Sequence, residues 1–168
     1  LAARRPVGGI VAQRAHGVAL ALDELRDRAA VPVAEPALRE PLVDLDGNVL
    51  SGEKAPTTEK MLHLACLKAY DDIHAVIHCH AKFCTMFAIT HQPIPCVIEE
   101  VEAFVGGDVP VANYEFTGSQ ELADEVSKWV GDRAAVLMAN HGLLTVGKNP
   151  ADCLKIALLV ERTAEIVW

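Results

Sequence analysis

Residues 134–146 read Ala134-Ala135-Val136-Leu137-Met138-Ala139-Asn140-His141-Gly142-Leu143-Leu144-Thr145-Val146. Two short apolar runs, Ala134 to Ala139 and Leu143 to Val146, flank three turn-forming residues. The segment therefore predicts two buried strands joined by Asn140-His141-Gly142. Downstream, Asn149-Pro150 opens a helix, with asparagine as its cap and proline at its first position. Upstream, Thr117 and Gln120 form a capping box for a helix to Val130, with Gly131 placed to end it. Val97 to Val101 and Val109 to Ala112 are short strand candidates about Gly106-Gly107, and Ala75 to Ala81 is another. Pro56-Thr57-Thr58-Glu59 opens a helix to about Tyr70, with Met61, Leu62, Ala65, Cys66 and Ala69 as its apolar stripe. Leu42 to Leu45 and Asn48 to Leu50 flank Asp46-Gly47, a strong hairpin signal. Strands and helices mix without strict βαβ order, which predicts an α/β fold whose mixed or antiparallel sheet carries helices on its faces.

The chain of 168 residues is one domain's worth, and 51% hydrophobic with 23% charged residues is the composition of a folded soluble protein. A formal charge of −8 disfavours nucleic acid and offers nothing basic to an anionic membrane. No apolar run reaches the length of a membrane span, and the first residues do not read as a signal peptide. The five cysteines (66, 79, 84, 96, 153) form no CxxC pair and read as reduced thiols of a cytoplasmic protein. The chain starts at Leu1 and stops at Trp168 inside a helical pattern, as a piece of something longer would. Its first forty residues hold six arginines, ten alanines, no lysine and no aromatic residue, whereas all seven lysines and all eight aromatics follow. Residues 1–41 are thus an atypical N-terminal segment. They read either as an arginine-rich helix from Val18 to Ala30 with a proline-punctuated linker, or as an aberrant, disordered tract of GC-rich codon usage.

Chemistry concentrates in Ile77-His78-Cys79-His80. Side chains alternate along a strand, so His78 and His80 share a face at a separation of roughly 6.6 Å, within reach of one ion. Cys79 faces the other way and is excluded as a ligand. His141, in a turn after an apolar strand, is the natural third ligand. Three histidines with an open fourth position are the pattern of a catalytic zinc. Glu59 is expected in the first helical turn, where the helix dipole stabilises a carboxylate, although a glutamate there is also ordinary helix-start chemistry. His63, one turn on, shares its face. His16, His74 and His91 read as surface or packing residues.

Pro56-Thr57-Thr58-Glu59, His63, His78-Cys79-His80-Ala81 and Asn140-His141-Gly142-Leu143, in this order, resemble the class II aldolase/adducin family. The similarity spans about residues 42 to 168 and is greatest to its L-fuculose-1-phosphate aldolase branch of the actinobacterial type. It implies a three-layer α/β/α fold with a central, mostly antiparallel sheet over residues 42–168, cut short at the C-terminus. It also implies a homotetramer and a zinc ion held by His78, His80 and His141. Glu59 would be the catalytic acid/base and a further ligand of the resting metal, and Thr57 and Thr58 would bind the substrate phosphate. The implied reaction is aldol cleavage of a ketose 1-phosphate to dihydroxyacetone phosphate and an aldehyde. Other members are L-ribulose-5-phosphate 4-epimerases, usually with aspartate at the Glu59 position, methylthioribulose-phosphate dehydratases, and metal-free adducin-like structural domains. Two upstream phosphate-binding motifs of the family are absent from residues 1–41. Where the fuculose enzymes carry a tyrosine after Ile94-Pro95, this chain has Glu99 and Glu100.

Overall fold

The computed structural model describes residues 40–168 and, in backbone alone, residues 10–12 and 18–21. Among the described residues, eight strands form one sheet in the order β4-β3-β1-β2-β5-β8-β7-β6. They are β1 (Ile10–Ala12), β2 (Val18–Ala21), β3 (Leu42–Val43), β4 (Val49–Ser51), β5 (Ala75–Cys79), β6 (Val111–Ala112), β7 (Ala135–Met138) and β8 (Gly142–Gly147). Every pairing is antiparallel except β6 with β7. The helices are α1 (Lys60–Ala69), α2 (Lys82–Thr90), α3 (Glu99–Val105), α4 (Gln120–Ser127) and α5 (Pro150–Val167).

The period of two along the strands sorts their side chains into two cores. Val136 and Met138 of β7 and Leu144 and Val146 of β8 pack with Leu62, Cys66 and Leu67 of α1 and with Leu122 and Val126 of α4. Ala135, Leu137 and Leu143 point the other way and meet Cys84 and Phe87 of α2, Val101 and Val105 of α3, and Ile156 and Val160 of α5. Helices thus cover both faces of the sheet, the expected three-layer α/β/α arrangement. The expected hairpins are present, and Gly47 at φ 83° makes the turn between β3 and β4. Asn149 caps α5, its Oδ1 accepting from the Asp152 N–H at 2.9 Å.

Several sequence expectations need correction. Val18–Ala21 is a strand, paired to β1 and β5, not the start of a helix; residues 22–30 of that expected helix, and His16, lie outside the described residues. Val97 to Val101 is not a strand: helix α3 begins at Glu99. Its acidic first turn suits the helix dipole, Val101 and Val105 lie one turn apart, and Gly106 at φ 93° closes its end. The cap of α4 is Ser119, whose Oγ accepts from the Leu122 N–H at 3.1 Å, rather than Thr117. Helix α1 buries Leu62, His63, Leu64, Cys66 and Leu67 and leaves Ala69 exposed, a face rotated from the expected stripe because β5 and α4, not the apolar count, set it.

Candidate metal centre

Strand β5 carries His78 opposite Leu144 of β8 and ends at Cys79, so His80 lies just beyond the ladder. His141 sits in the turn between β7 and β8. There Asn140 takes the left-handed conformation, φ 59°, that asparagine tolerates better than most residues. The same turn is held by two bonds to the end of α2. The Asn140 N–H donates to Ala88 O at 3.1 Å, and His91 Nε2–H donates to Asn140 Oδ1 at 3.1 Å. Gly142 follows, and a Cβ on it would lie 2.7 Å from Cys79 O and 2.9 Å from His80 Cδ2. The close approach of the β8 backbone to the His80 ring therefore requires glycine.

The three imidazoles converge, with ring centroids 4.7–5.0 Å apart. His78 is 7% exposed, and its Nδ1–H donates to Leu143 O at 3.0 Å. In the neutral ring that bond turns the Nε2 lone pair to the cluster, the tautomer a metal ligand needs, whereas a protonated ring donates Nε2–H to Glu59 Oε2. His78 Nε2 lies 3.1 Å from His80 Nε2.

Glu59 stands before α1 as its N-cap residue, not within the first helical turn. Its side chain makes no capping bond. Instead Oε2 lies 2.9 Å from His78 Nε2 and Oε1 lies 3.3 Å from His141 Nε2. The residue is 8% exposed, and its Oε1 has no hydrogen-bond partner. Burial pushes the Glu59 carboxyl up, but the His78 bond and the histidine charges outweigh it, and the group sits below its ordinary value. Burial holds the His141 ring below its ordinary value against the pull of Glu59, and the other two histidines add to that effect. A buried carboxylate facing three imidazoles is a donor set that a cation would complete.

Ligating atoms of His78, His80 and His141 lie within 4.8 Å of one another. Around a tetrahedral ion such atoms are about 3.3 Å apart. The donor types, their convergence and the Glu59 oxygen without a hydrogen-bond partner thus fit a metal ion. Cys79, as expected, packs on the α2–α5 side of the sheet.

Thr57 and Thr58 line a cavity of about 170 Å³ with Glu59, His63, His78 and His80. Thr57 Oγ1 accepts from the Glu59 N–H at 3.3 Å, which leaves its hydroxyl hydrogen free to donate. His63 is 2% exposed, and its Nδ1 has no hydrogen-bond partner. Burial is the main reason its ring is pushed down to about 4. His74 and His91 are exposed, as expected. The orienting carbonyl of Leu143 and the glycine requirement at position 142 were not foreseen from the sequence, since both arise from pairing across β5 and β8.

The family model described as Class II Aldolase and Adducin N-terminal domain matches residues 40–168. The chain belongs to this family. Among class II aldolases, the 5-deoxy-D-ribulose 1-phosphate aldolase of Bacillus thuringiensis serovar kurstaki is 35% identical over 127 residues, 76% of this chain and 59% of that protein. The L-fuculose phosphate aldolase of Escherichia coli K12 is 33% identical over 126 residues, 74% of this chain and 59% of that protein. The chain thus spans about three fifths of the length of these relatives. A solved L-fuculose 1-phosphate aldolase superposes with a TM-score of 0.74 at 31% identity, covering 97% of this chain and 76% of that one. The enzyme of that name from Thermus thermophilus shares the fold, with a TM-score of 0.67 at 17% identity, covering 96% of this chain and 82% of that one. Among the described residues, no helix is long and apolar enough to cross a membrane.

Proposed function

We propose that this chain is the zinc-binding catalytic part of a class II aldolase that cleaves a ketose 1-phosphate to dihydroxyacetone phosphate and an aldehyde. The observation that carries the reading is the Glu59 carboxylate, buried between His78 and His141 at the mouth of a three-histidine cluster. A buried carboxylate oxygen without a hydrogen-bond partner calls for an explanation, and a bound ion supplies one. The aldolase names of the relatives support the reaction type, and glutamate at position 59 favours aldolase over epimerase.

His78, His80 and His141 would hold the ion, with Glu59 as a further ligand when no substrate is present. Bound there, zinc would supply Lewis acidity toward the ketone oxygen and the neighbouring hydroxyl of the sugar phosphate. Thr57 and Thr58 would donate hydroxyl hydrogens to the substrate phosphate. In cleavage the C4 hydroxyl gives its proton to solvent, C4 becomes a carbonyl and the C3–C4 bond breaks with its electron pair left on C3. Glu59 then delivers a proton to C3, which gives dihydroxyacetone phosphate; in the reverse direction it removes that proton. The proposal takes residues 42–168 as the catalytic unit, with β1 and β2 completing its sheet. A homotetramer in the cytoplasm is part of the same reading, supported by the aldolase resemblance and by five cysteines that are all unpaired.

The test is product analysis with zinc-loaded protein over a panel of ketose phosphates that includes L-fuculose 1-phosphate and 5-deoxy-D-ribulose 1-phosphate. Release of dihydroxyacetone phosphate supports the proposal. Epimerised product without cleavage, or no turnover of any member, overturns it.

A further inference from the structure

Helix α2 begins two residues after His80, yet its own sequence supplies no cap. Its N-cap position is Ala81, which has no side-chain hydrogen bond to offer. The first N–H groups of a helix need acceptors, and an uncapped first turn frays. Here the acceptor comes from the far end of the chain. The Glu161 carboxylate, on α5, accepts from the Phe83 N–H through Oε1 and from the Cys84 N–H through Oε2, both at 3.0 Å. A negative charge at that place also suits the helix dipole.

The placement matters because the three histidines are held in different ways. His78 lies inside the β5–β8 ladder with its ring tied to Leu143 O. His141 lies in a turn bonded to the end of α2. The His80 backbone lies past the last ladder pair, between the end of β5 and the first turn of α2. Its backbone is thus joined to that first turn through Ala81 alone.

We propose that Glu161 is a positioning residue for the metal centre: by capping α2 from α5 it fixes the backbone of His80, and so places the third imidazole. The inference rests on the proposed metal site but not on the identity of the substrate. Glutamine at position 161 keeps the shape and turns one acceptor into a donor facing an N–H. Loss of a group bonded directly to a metal ligand typically costs 10–100-fold in metal affinity, and a residue acting one step further out is expected at the lower end of that range.

The test is a double-mutant cycle read as Zn²⁺ affinity, by competition with a chromophoric chelator on the full chain. Glu161→Gln is expected to weaken Zn²⁺ binding at least tenfold in the parent and to change nothing further once His80→Ala has removed the ligand through which it acts. Glu161→Asp, which keeps the charge but shortens the reach, is expected to act in the same direction and stands in should the glutamine variant not fold. A cap that serves stability alone predicts a lowered Tm with unchanged Zn²⁺ affinity, and that result overturns the inference. So does an equal loss of affinity in the parent and His80→Ala backgrounds. A parent protein that binds no Zn²⁺ at all would instead count against the proposed function, and this inference would go with it.

Discussion

Glu59 Oε2 and His78 Nε2 lie 2.9 Å apart across the gap between the start of α1 and the middle of the sheet. Residues nineteen apart in sequence are thus joined at one point, and the acid/base role of Glu59 is the first thing to test. Glu59→Gln is expected to keep the fold and most of the zinc, since three histidines remain, while turnover falls on the order of 10²–10⁴-fold. Exchange of the dihydroxyacetone phosphate proton with solvent, followed by NMR, is expected to fall in step because that half-reaction needs the base but no aldehyde. Exchange at the parent rate would leave Glu59 a structural residue and the proposed mechanism without its base.

Metal content tests the ligands directly. Purified protein is expected to hold about one zinc per chain, and His78→Ala or His141→Ala to hold little. Undiminished zinc in either variant would refute the ligand assignment. Absence of zinc from the parent would favour an adducin-like, non-catalytic use of the fold.

Position 142 is expected to tolerate nothing larger than glycine. An alanine there brings its Cβ to 2.7 Å from Cys79 O, a backbone atom that cannot swing aside. Overpacking of this kind costs about 1–3 kcal/mol, and the displaced His80 ring should weaken zinc binding as well. Denaturant unfolding and metal titration of Gly142→Ala check both, and a variant with parental values in each would show that the two strands separate easily.

Acid stability reports on His63. Its folded value is depressed to about 4 by burial, below the ordinary value of 6.5. A buried neutral histidine stabilises fully above the unfolded value, and that contribution is lost as pH falls from 6.5 toward 4, on the order of 3 kcal/mol at most. In chelator-treated protein, where the other histidines titrate alike in both, His63→Leu should flatten the fall in stability over this window. Parallel curves for the two proteins would show that His63 is not a source of the acid sensitivity.

The cap of α4 separates the two readings of its start. Ser119→Ala is expected to cost about 1 kcal/mol, and Thr117→Ala less than about 0.5 kcal/mol. Thermal unfolding of the pair decides it, and the reverse order would restore Thr117 as the cap.

Much of the site was legible in the linear chain because the information there is local. The period of two puts His78 and His80 on one face whatever the rest of the fold does. The apolar runs on either side of Asn140-His141-Gly142 are too short for ordinary helices and are joined by turn formers, which favours paired strands. Reading α3 as a strand failed because Val97, Ile98 and Val101 suit either structure, and what decided was the cap at Gly106 and the packing of Val101 and Val105. Thr117 and Ser119 are both competent caps, and the turn from Phe116 to Ser119 selects the second.

The sequence by itself determined which side chains could bind a metal, the alternation that aims two of them together, and the family to which the chain belongs. Tertiary structure alone decided that Glu59 turns from its helix toward His78 and His141, that Leu143 O orients the His78 ring, and that Glu161 caps a helix 77 residues upstream. The physical reason is range. Alternation and turn formation are settled by neighbouring residues, whereas a buried polar atom takes its partner from whatever element the packing of two helical layers on one sheet brings within 3 Å.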